Sequence, residues 1–270
     1  MEIQKQDKKS KAEAMTDKTS LLNTEIWGCE GFEPQPVVET LWPILAKLNP
    51  KPITTDLGED ITDLQEMRVP IMQGCELFFS TDKIEKLHIA IVVIMKNINS
   101  AWVEVTPNDD YDFPIFELDL FEYSDKAFFL LDMHPLRDLV IDAWYREKYL
   151  DPVEPIWKEY PDLNTGKSVT ASALSSFLSP YSIIGIHKPA DDMRSNMARM
   201  LECATKYLEY YVDNVVAKAE PVEDPEGKAF VIKKKQAMRA YYRTKDPTVA
   251  QMSKQLGFDL LKKSWYHSFF

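Results

Sequence analysis

Two carboxylates stand where carboxylates are costly. Residues 113–136 read FPIFELDLFEYSDKAFFLLDMHPL, apolar text in which Asp119 interrupts the first strand-like run and Asp132 the second. A lone carboxylate in such company must be paired, hydrogen-bonded or protonated. The last state is chemically useful, because a carboxylic acid held neutral near pH 7 by apolar neighbours can donate its proton. On a strand, Ile115, Glu117, Asp119 and Phe121 share one face, and Phe116, Leu118 and Leu120 share the other. A face mixing two acids with Ile and Phe suits a pocket for a large, flat, partly polar ligand. A half-exposed strand with a solvent-facing acid shows the same pattern, and the residues alone leave both readings open.

Other groups carry competing structural duties. Asp246 precedes Pro247 in TKDPTVAQ, the N-cap and first-turn pair of a helix. Asp132 can accept backbone donors where its strand gives way to the next helix, and we read it as structural; His134 beside it is either support or surface. His88 shares a face with Ala90, Val92 and Ile94, company more usual for a satisfied core histidine than for a catalyst. Trp102, on a face with Glu104 and Thr106, can stack on a flat ligand or simply pack. There is no GxGxxG or GxxxxGK[ST], which argues against nucleotide chemistry. The four histidines form no HExxH or HxxxH pair. Cys29, Cys75 and Cys203 are far apart, as in an intracellular protein with reduced thiols, so no metal site is expected.

The elements that must position these groups can be read from periodicity. Residues 35–49 have helical spacing through Val38, Leu41, Leu45 and Leu48, with Pro43 expected to kink the helix. Strands are expected over 68–80, 85–96, 100–106, 113–122 and 126–133, joined by short antiparallel connections. Helical text follows at 137–149, and a sixth strand near 181–187. A long helix is expected over 191–217, with an apolar stripe of Met193, Met197, Met200, Leu201, Ala204, Leu208 and Val215. A basic helix over 231–244, one starting at Asp246 and one ending at Phe270 complete the chain. Strands followed by helices imply an α+β class, one domain over 25–270 with helices packed on an antiparallel sheet.

The net charge of −11 is uneven. From Gly227 to Lys263, ten basic residues face two acids, a local +8 that leaves −19 elsewhere. The plain reading is solvated helix faces; the sharper one is a docking patch for an acidic partner. Nucleic acid is disfavoured by the overall charge, and no apolar run is long enough to span a membrane. Residues 1–24, polar and with five lysines among four acids, read as a disordered tail without the apolar core of a secretion signal.

At this point the chain resembles a family. DFPIFELDLFEYSDKAFFLLDMHPL is similar to the central signature of the ferredoxin-dependent bilin reductases, which reduce biliverdin to phycobilins: roughly D-hydrophobic-P-hydrophobic-hydrophobic-G-x-D-L, a turn, then a strand ending L-D-x-x-P. KYLDPVEPIWKEYPDL (148–163), FLSPYSIIGI (177–186) and YYRTKDPTVAQMSKQLGFDLLKKSWYHSFF (241–270) resemble further family segments in the same order, so the resemblance covers most of 65–270. It implies a three-layer α/β/α sandwich with a central antiparallel sheet, the bilin between sheet and C-terminal helices, and no bound metal, flavin or nicotinamide. It makes Asp119 the principal proton donor and Asp246 a second donor or anchor, with reduced ferredoxin supplying single electrons.

The resemblance also sorts the remaining candidates. His88 matches a family histidine, but Ala90 stands where the phycocyanobilin-forming branch has Glu, and Trp102 where it has a further His. That favours the phycoerythrobilin pathway, with biliverdin or 15,16-dihydrobiliverdin as substrate. Glu117 replaces the usual Gly and either enters the pocket or pairs with a helix. His187 and Lys188 stand near the usual propionate-binding Arg, and Phe121 and Arg243 complete the expected ligand contacts. Lys233, Lys234, Lys235, Lys262 and Lys263 become the expected docking face for acidic ferredoxin. A bacterial or phage cytoplasm, or a plastid stroma, is the implied location. A non-catalytic bilin carrier, a phytochromobilin- or phycocyanobilin-forming enzyme and a reductase of red chlorophyll catabolite are the alternatives.

Overall fold

The computed structural model describes residues 35–65, 67–69, 72–94, 98–123, 125–165, 176–187, 193–245 and 259–268. In chain order come helix α1 (Gln35–Leu45), strands β1 (Lys51–Pro52), β2 (Thr55–Asp56), β3 (Glu59–Asp60), β4 (Met67–Val69), β5 (Met72–Ser80), β6 (Ile84–Ile94), β7 (Ile98–Pro107), β8 (Ile115–Glu122) and β9 (Ala127–His134). Then follow helices α2 (Ala143–Tyr145) and α3 (Glu154–Glu159), strand β10 (Ile183–His187), and helices α4 (Met193–Tyr210), α5 (Pro225–Lys245) and α6 (Asp259–Ser268). The main sheet is antiparallel in the order β1-β5-β6-β7-β8-β9-β10, with β4 also pairing with β5. No helix among the described residues is long and apolar enough to cross a membrane.

The sheet is covered on both faces, which is why its central strands are apolar almost throughout. On one face, Leu77, Ile89, Val103, Leu118 and Leu131 meet Leu41 and Leu45 of α1 and Met200, Ala204 and Leu208 of α4. Tyr211, just beyond α4, donates to Pro114 O (2.8 Å) and ties this layer to the entrance of β8. On the opposite face, Ile115 and Leu136 pack against Val231, Met238 and Tyr242 of α5. There too, Ile61 and Leu64 cover Phe78, Ala90, Val92 and Trp102. This is the expected α+β arrangement of helix layers on a central antiparallel sheet.

Several boundaries differ from the periodicity. The expected strand 68–80 is a hairpin, with Val69 facing Met72. A hydrophobic run cannot show that its two halves fold back on each other. Gly74, with φ of 146°, sits where a Cβ would lie 2.1 Å from Ile91 O, so only glycine lets β5 approach β6 this closely there. The helix expected from 137 begins only at Ala143, because Asp138 Oδ1 accepts from Val140 N (2.8 Å) and Ile141 N (3.0 Å) and closes a turn instead. The basic helix starts at Pro225, six residues early, where Asp224 accepts from Gly227 N (2.7 Å) as an N-cap. Pro43 lies inside α1 two residues before its end, and the chain continues as a 3₁₀ turn over Ala46–Leu48. Residues 1–24 and the helix expected from Asp246 lie outside the described residues.

Candidate active site

Strand register turns separate polar positions into two parallel rows on the face beneath α5 and α6. Pairing of Ala90 with Trp102, Trp102 with Asp119, Asp119 with Leu130, and Leu130 with Ile184 makes one row, apolar except for Asp119. Phe121 lies beyond it on the same face, stacked on Trp102 at 5.9 Å between ring centres. The neighbouring row runs His88, Glu104, Glu117, Asp132 across four adjacent strands, all buried. Directly opposed side chains in such a sheet have Cβ atoms about 4.5–5.5 Å apart, so three carboxylates in a row require cations or protons between them. Asp119 is partly exposed, unlike the acids of that row. It lies close enough to Tyr123 that its charge, after burial, helps push that phenol above its usual range.

His88 is fully enclosed. Its ring stacks on Phe78 at 4.5 Å between centres. Trp102 Nε1 donates to His88 Nδ1 (3.2 Å), and His88 Nε2 lies 3.3 Å from Glu76 Oε2. A ring that accepts on Nδ1 carries its proton on Nε2, so this is a neutral imidazole. Burial holds it below its usual range against the opposing pull of Glu76. Glu76 also accepts from Ser264 and from Ser268 Oγ (3.0 Å), which fastens α6 to the sheet. Lys86 Nζ donates to His267 O (2.7 Å), and His267 is flanked by Asp56 (2.8 Å) and Glu59 (3.1 Å) of the β2–β3 hairpin. His88 therefore holds Trp102, which stands beside Asp119 on the neighbouring strand.

Glu117 joins a cluster that was not legible in the sequence. Its Oε2 is in close contact with His134 Nε2, and Tyr242 of α5 donates to the same oxygen at 3.4 Å. His134 Nδ1 faces Asp132 Oδ2 (3.0 Å) and Phe177 O (3.2 Å). Burial pulls the imidazole down, but Glu117 and Asp132 outweigh it and hold His134 well above its usual range. Asp132 also accepts from Ser179 N (2.9 Å) and Ser179 Oγ (2.5 Å). It is structural, as expected, though its donors come from the segment before β10 and not from the turn after its own strand. Glu117 thus pairs mainly with the neighbouring strand. The missed signal was parity: 86, 88, 104, 106, 117, 119, 132 and 134 are polar at period two within apolar strands.

The geometry corrects the expectations for His187 and for three of the docking lysines. His187 pairs with Ala127, on the face opposite to Phe121 and Asp119, so its side chain cannot meet a ligand beside Asp119. Lys235 is only 1% exposed; it bonds Glu85 (2.8 Å), Asp109 (2.7 Å) and Pro107 O (2.8 Å), which removes it from any docking face. Lys234 is half-buried and donates to Arg137 O (3.0 Å), and Lys263 is paired with Asp63 (2.6 Å). Lys233 and Lys262 remain exposed. Arg243 donates through Nε to Tyr266 O (3.1 Å) and lies over the Tyr266 ring, while its Nη2 is buried without a hydrogen-bond partner. Burial lowers its pKa, with Asp56 and Glu104 among the acids opposing this, so it sits in the layer between sheet and helices. Asp246 and Lys188 lie outside the described residues. No group of three or more His, Cys, Asp or Glu among the described residues is arranged to hold a metal ion.

Comparison with known proteins gives this geometry a context. Residues 38–264 match the sequence profile described as Ferredoxin-dependent bilin reductase. The chain is 25% identical over 166 residues to the 15,16-dihydrobiliverdin:ferredoxin oxidoreductase of Nostoc punctiforme, covering 61% of this chain and 64% of the relative. It is 32% identical over 145 residues to the phycoerythrobilin:ferredoxin oxidoreductase of Gloeobacter violaceus, covering 53% and 56%. The aligned stretches therefore span less than two thirds of either relative. Phytochromobilin synthase from tomato, solved in complex with biliverdin, shares the fold, with a TM-score of 0.73 at 17% identity over 86% of this chain and 81% of that one.

Proposed function

The chain belongs to the ferredoxin-dependent bilin reductases, and from that premise we propose that it reduces a linear tetrapyrrole of the biliverdin type on the phycoerythrobilin pathway, with Asp119 as the principal proton donor. The observation that carries the reading is the placement of Asp119: one partly exposed carboxylate in an otherwise apolar row between Trp102 and Leu130. A flat, largely apolar chromophore lying along that row meets its acid there. Ala90 and Trp102 occupy the row's other end, so the side chains that mark the phycocyanobilin branch are absent from it. Both curated relatives bear names from bilin reduction, one acting on 15,16-dihydrobiliverdin and one named for phycoerythrobilin.

The chemistry needs two electrons and two protons for each double bond. Ferredoxin delivers electrons singly, and each one raises the basicity of the tetrapyrrole. A proton donor fixed against the ligand then makes the next electron easier to add. In this reading Asp119 gives the proton, Phe121 stacks on the chromophore with Trp102 packed behind it, and Arg243 offers its unengaged Nη2 to a propionate. Asp246, by family resemblance, is a second donor or an anchor for the pyrrole nitrogens. Lys233 and Lys262 remain as the exposed cations of the proposed ferredoxin face, on the helices that cover the site.

The test is an anaerobic assay with reduced ferredoxin, offering biliverdin and 15,16-dihydrobiliverdin separately, for the wild type and Asp119→Asn. The wild type is expected to reduce at least one. Asp119→Asn, which keeps shape and removes the acid, is expected to bind bilin normally and lose about 10²-fold or more in turnover. Full activity in Asp119→Asn rules out the donor role, and wild type that binds both bilins without reducing either identifies a carrier.

A further inference from the structure

We propose that Glu117 and His134 form a second proton-supplying pair for the same site, His134 storing the proton and Glu117 passing it toward the ligand layer. This rests on the reading of the site as a tetrapyrrole reductase. The reduction of one double bond consumes two protons, and among the described residues Asp119 accounts for one.

The geometry of His134 defines its charge. Both ring nitrogens face acceptors: Glu117 on Nε2, Asp132 (3.0 Å) and Phe177 O (3.2 Å) on Nδ1. A neutral imidazole has only one N–H and cannot serve both sides. An imidazolium can, and its positive charge also relieves the repulsion of two carboxylates set side by side on β8 and β9.

The two carboxylates differ in what they can do with the proton. Asp132 has both oxygens occupied, Oδ1 by Ser179 Oγ and Oδ2 by Ser179 N and His134. It holds the ring in place. Glu117 has Oε2 on His134 and Tyr242, while Oε1 is buried with no hydrogen-bond partner. The free oxygen belongs to the side chain two residues from Asp119 on the same strand face. The groups facing the pair are Asp119 on β8, Glu104 from β7, Asp132 from β9 and Tyr242 from α5, with Arg243 acting on Glu104.

The step balances. Ferredoxin supplies two electrons in sequence, and Asp119 protonates the tetrapyrrole after the first. After the second, the Nε2–H bond of His134 breaks and an O–H bond forms on Glu117. Rotation about the soft terminal torsion of Glu117 presents that proton. The O–H bond breaks as a bond to hydrogen forms on the reduced ligand. Neutral His134 and ionised Asp119 remain, and both regain protons from solvent.

Two experiments test this. In ¹⁵N-histidine NMR of the intact wild-type protein without ligand, His134 (assigned by its loss in His134→Gln) is expected to carry protons on both nitrogens at pH 8. A neutral ring there overturns the proposal, whatever the variants do. In anaerobic single turnover with reduced ferredoxin and each of the two bilins, Glu117→Gln is expected to keep its bilin affinity within about threefold. It should accumulate the two-electron-reduced, singly protonated bilin, which is EPR-silent and is followed by its absorbance, decay it about 10²-fold more slowly, and lose the alkaline limb of the wild-type pH profile. Wild-type decay with an unchanged profile overturns the pair's role, as does a variant that only loses bilin affinity and thermal stability without accumulating the two-electron-reduced species. If wild type itself reduces neither bilin, the reductase reading fails and the proposal falls with it; if wild type turns over while Glu117→Gln is indistinguishable, only the proposal fails.

Discussion

Lys235→Met and Lys235→Glu separate a structural lysine from a docking lysine. The ammonium lies 2.8 Å from Glu85, 2.7 Å from Asp109 and 2.8 Å from Pro107 O, with 1% of the side chain exposed. Methionine keeps the length and apolar stem. It leaves Pro107 O without that donor, but Glu85 and Asp109 have 34% and 55% of their side chains open to solvent and can rehydrate. The cost is therefore about 2–3 kcal/mol, below the ~3–5 kcal/mol typical when the surviving partner stays buried. At about 2–4 °C per kcal/mol for a domain of roughly this size, Tm should fall by roughly 4–12 °C. Charge reversal is far worse. At an effective dielectric near 20, like charges about 4 Å apart repel by about 4 kcal/mol, and two such contacts approach the roughly 5–15 kcal/mol that stabilises a whole domain. Lys235→Glu should yield little folded protein. Lys233→Glu, on the exposed face of the same helix, should change stability by no more than about 0.5 kcal/mol and raise the KM for ferredoxin. Thermal melts, urea titrations and ferredoxin kinetics on the three variants decide the matter. A folded Lys235→Glu with wild-type Tm would refute the burial of this side chain.

Gly74→Ala should cost more than about 2 kcal/mol, read as a lower urea midpoint, because its φ of 146° and the 2.1 Å approach to Ile91 O leave a Cβ no place. His88 and His134 should give the stability curve opposite limbs. Burial depresses His88, so the unfolded chain binds more protons than the fold, and stability should fall as pH drops below about 6.5 toward the lower folded value. His134 is raised, so its stabilisation is complete below about pH 6.5 and is lost as pH rises through its elevated folded pKa. Urea midpoints measured across pH should lose the acid limb in His88→Gln and the alkaline limb in His134→Gln; unchanged limbs would dissociate these rings from the pH dependence.

The sequence by itself determined the alternation of β5 to β9, and with it the two faces. Leu118 and Leu120 had to turn toward helices, and Asp119 had to share its side with Glu117 and Phe121, because side-chain period on a strand is two whatever the partner. It also placed the long helix α4, since Met200, Ala204 and Leu208 repeat at helical spacing. The tertiary structure alone decided which distant groups meet. Lys235 reads as one of three surface lysines until Glu85 and Asp109 arrive from 150 and 126 positions away. His187 keeps away from Asp119 only because Ile183 faces Leu131; a register slip of one residue would turn it to the other face. Glu117 and His134 become a pair through the β8–β9 alignment of Ile115 with His134. Local sequence sets periodicity, whereas burial and charge pairing depend on register between strands and on the helices laid over them, and neither is written in the spacing of any one segment.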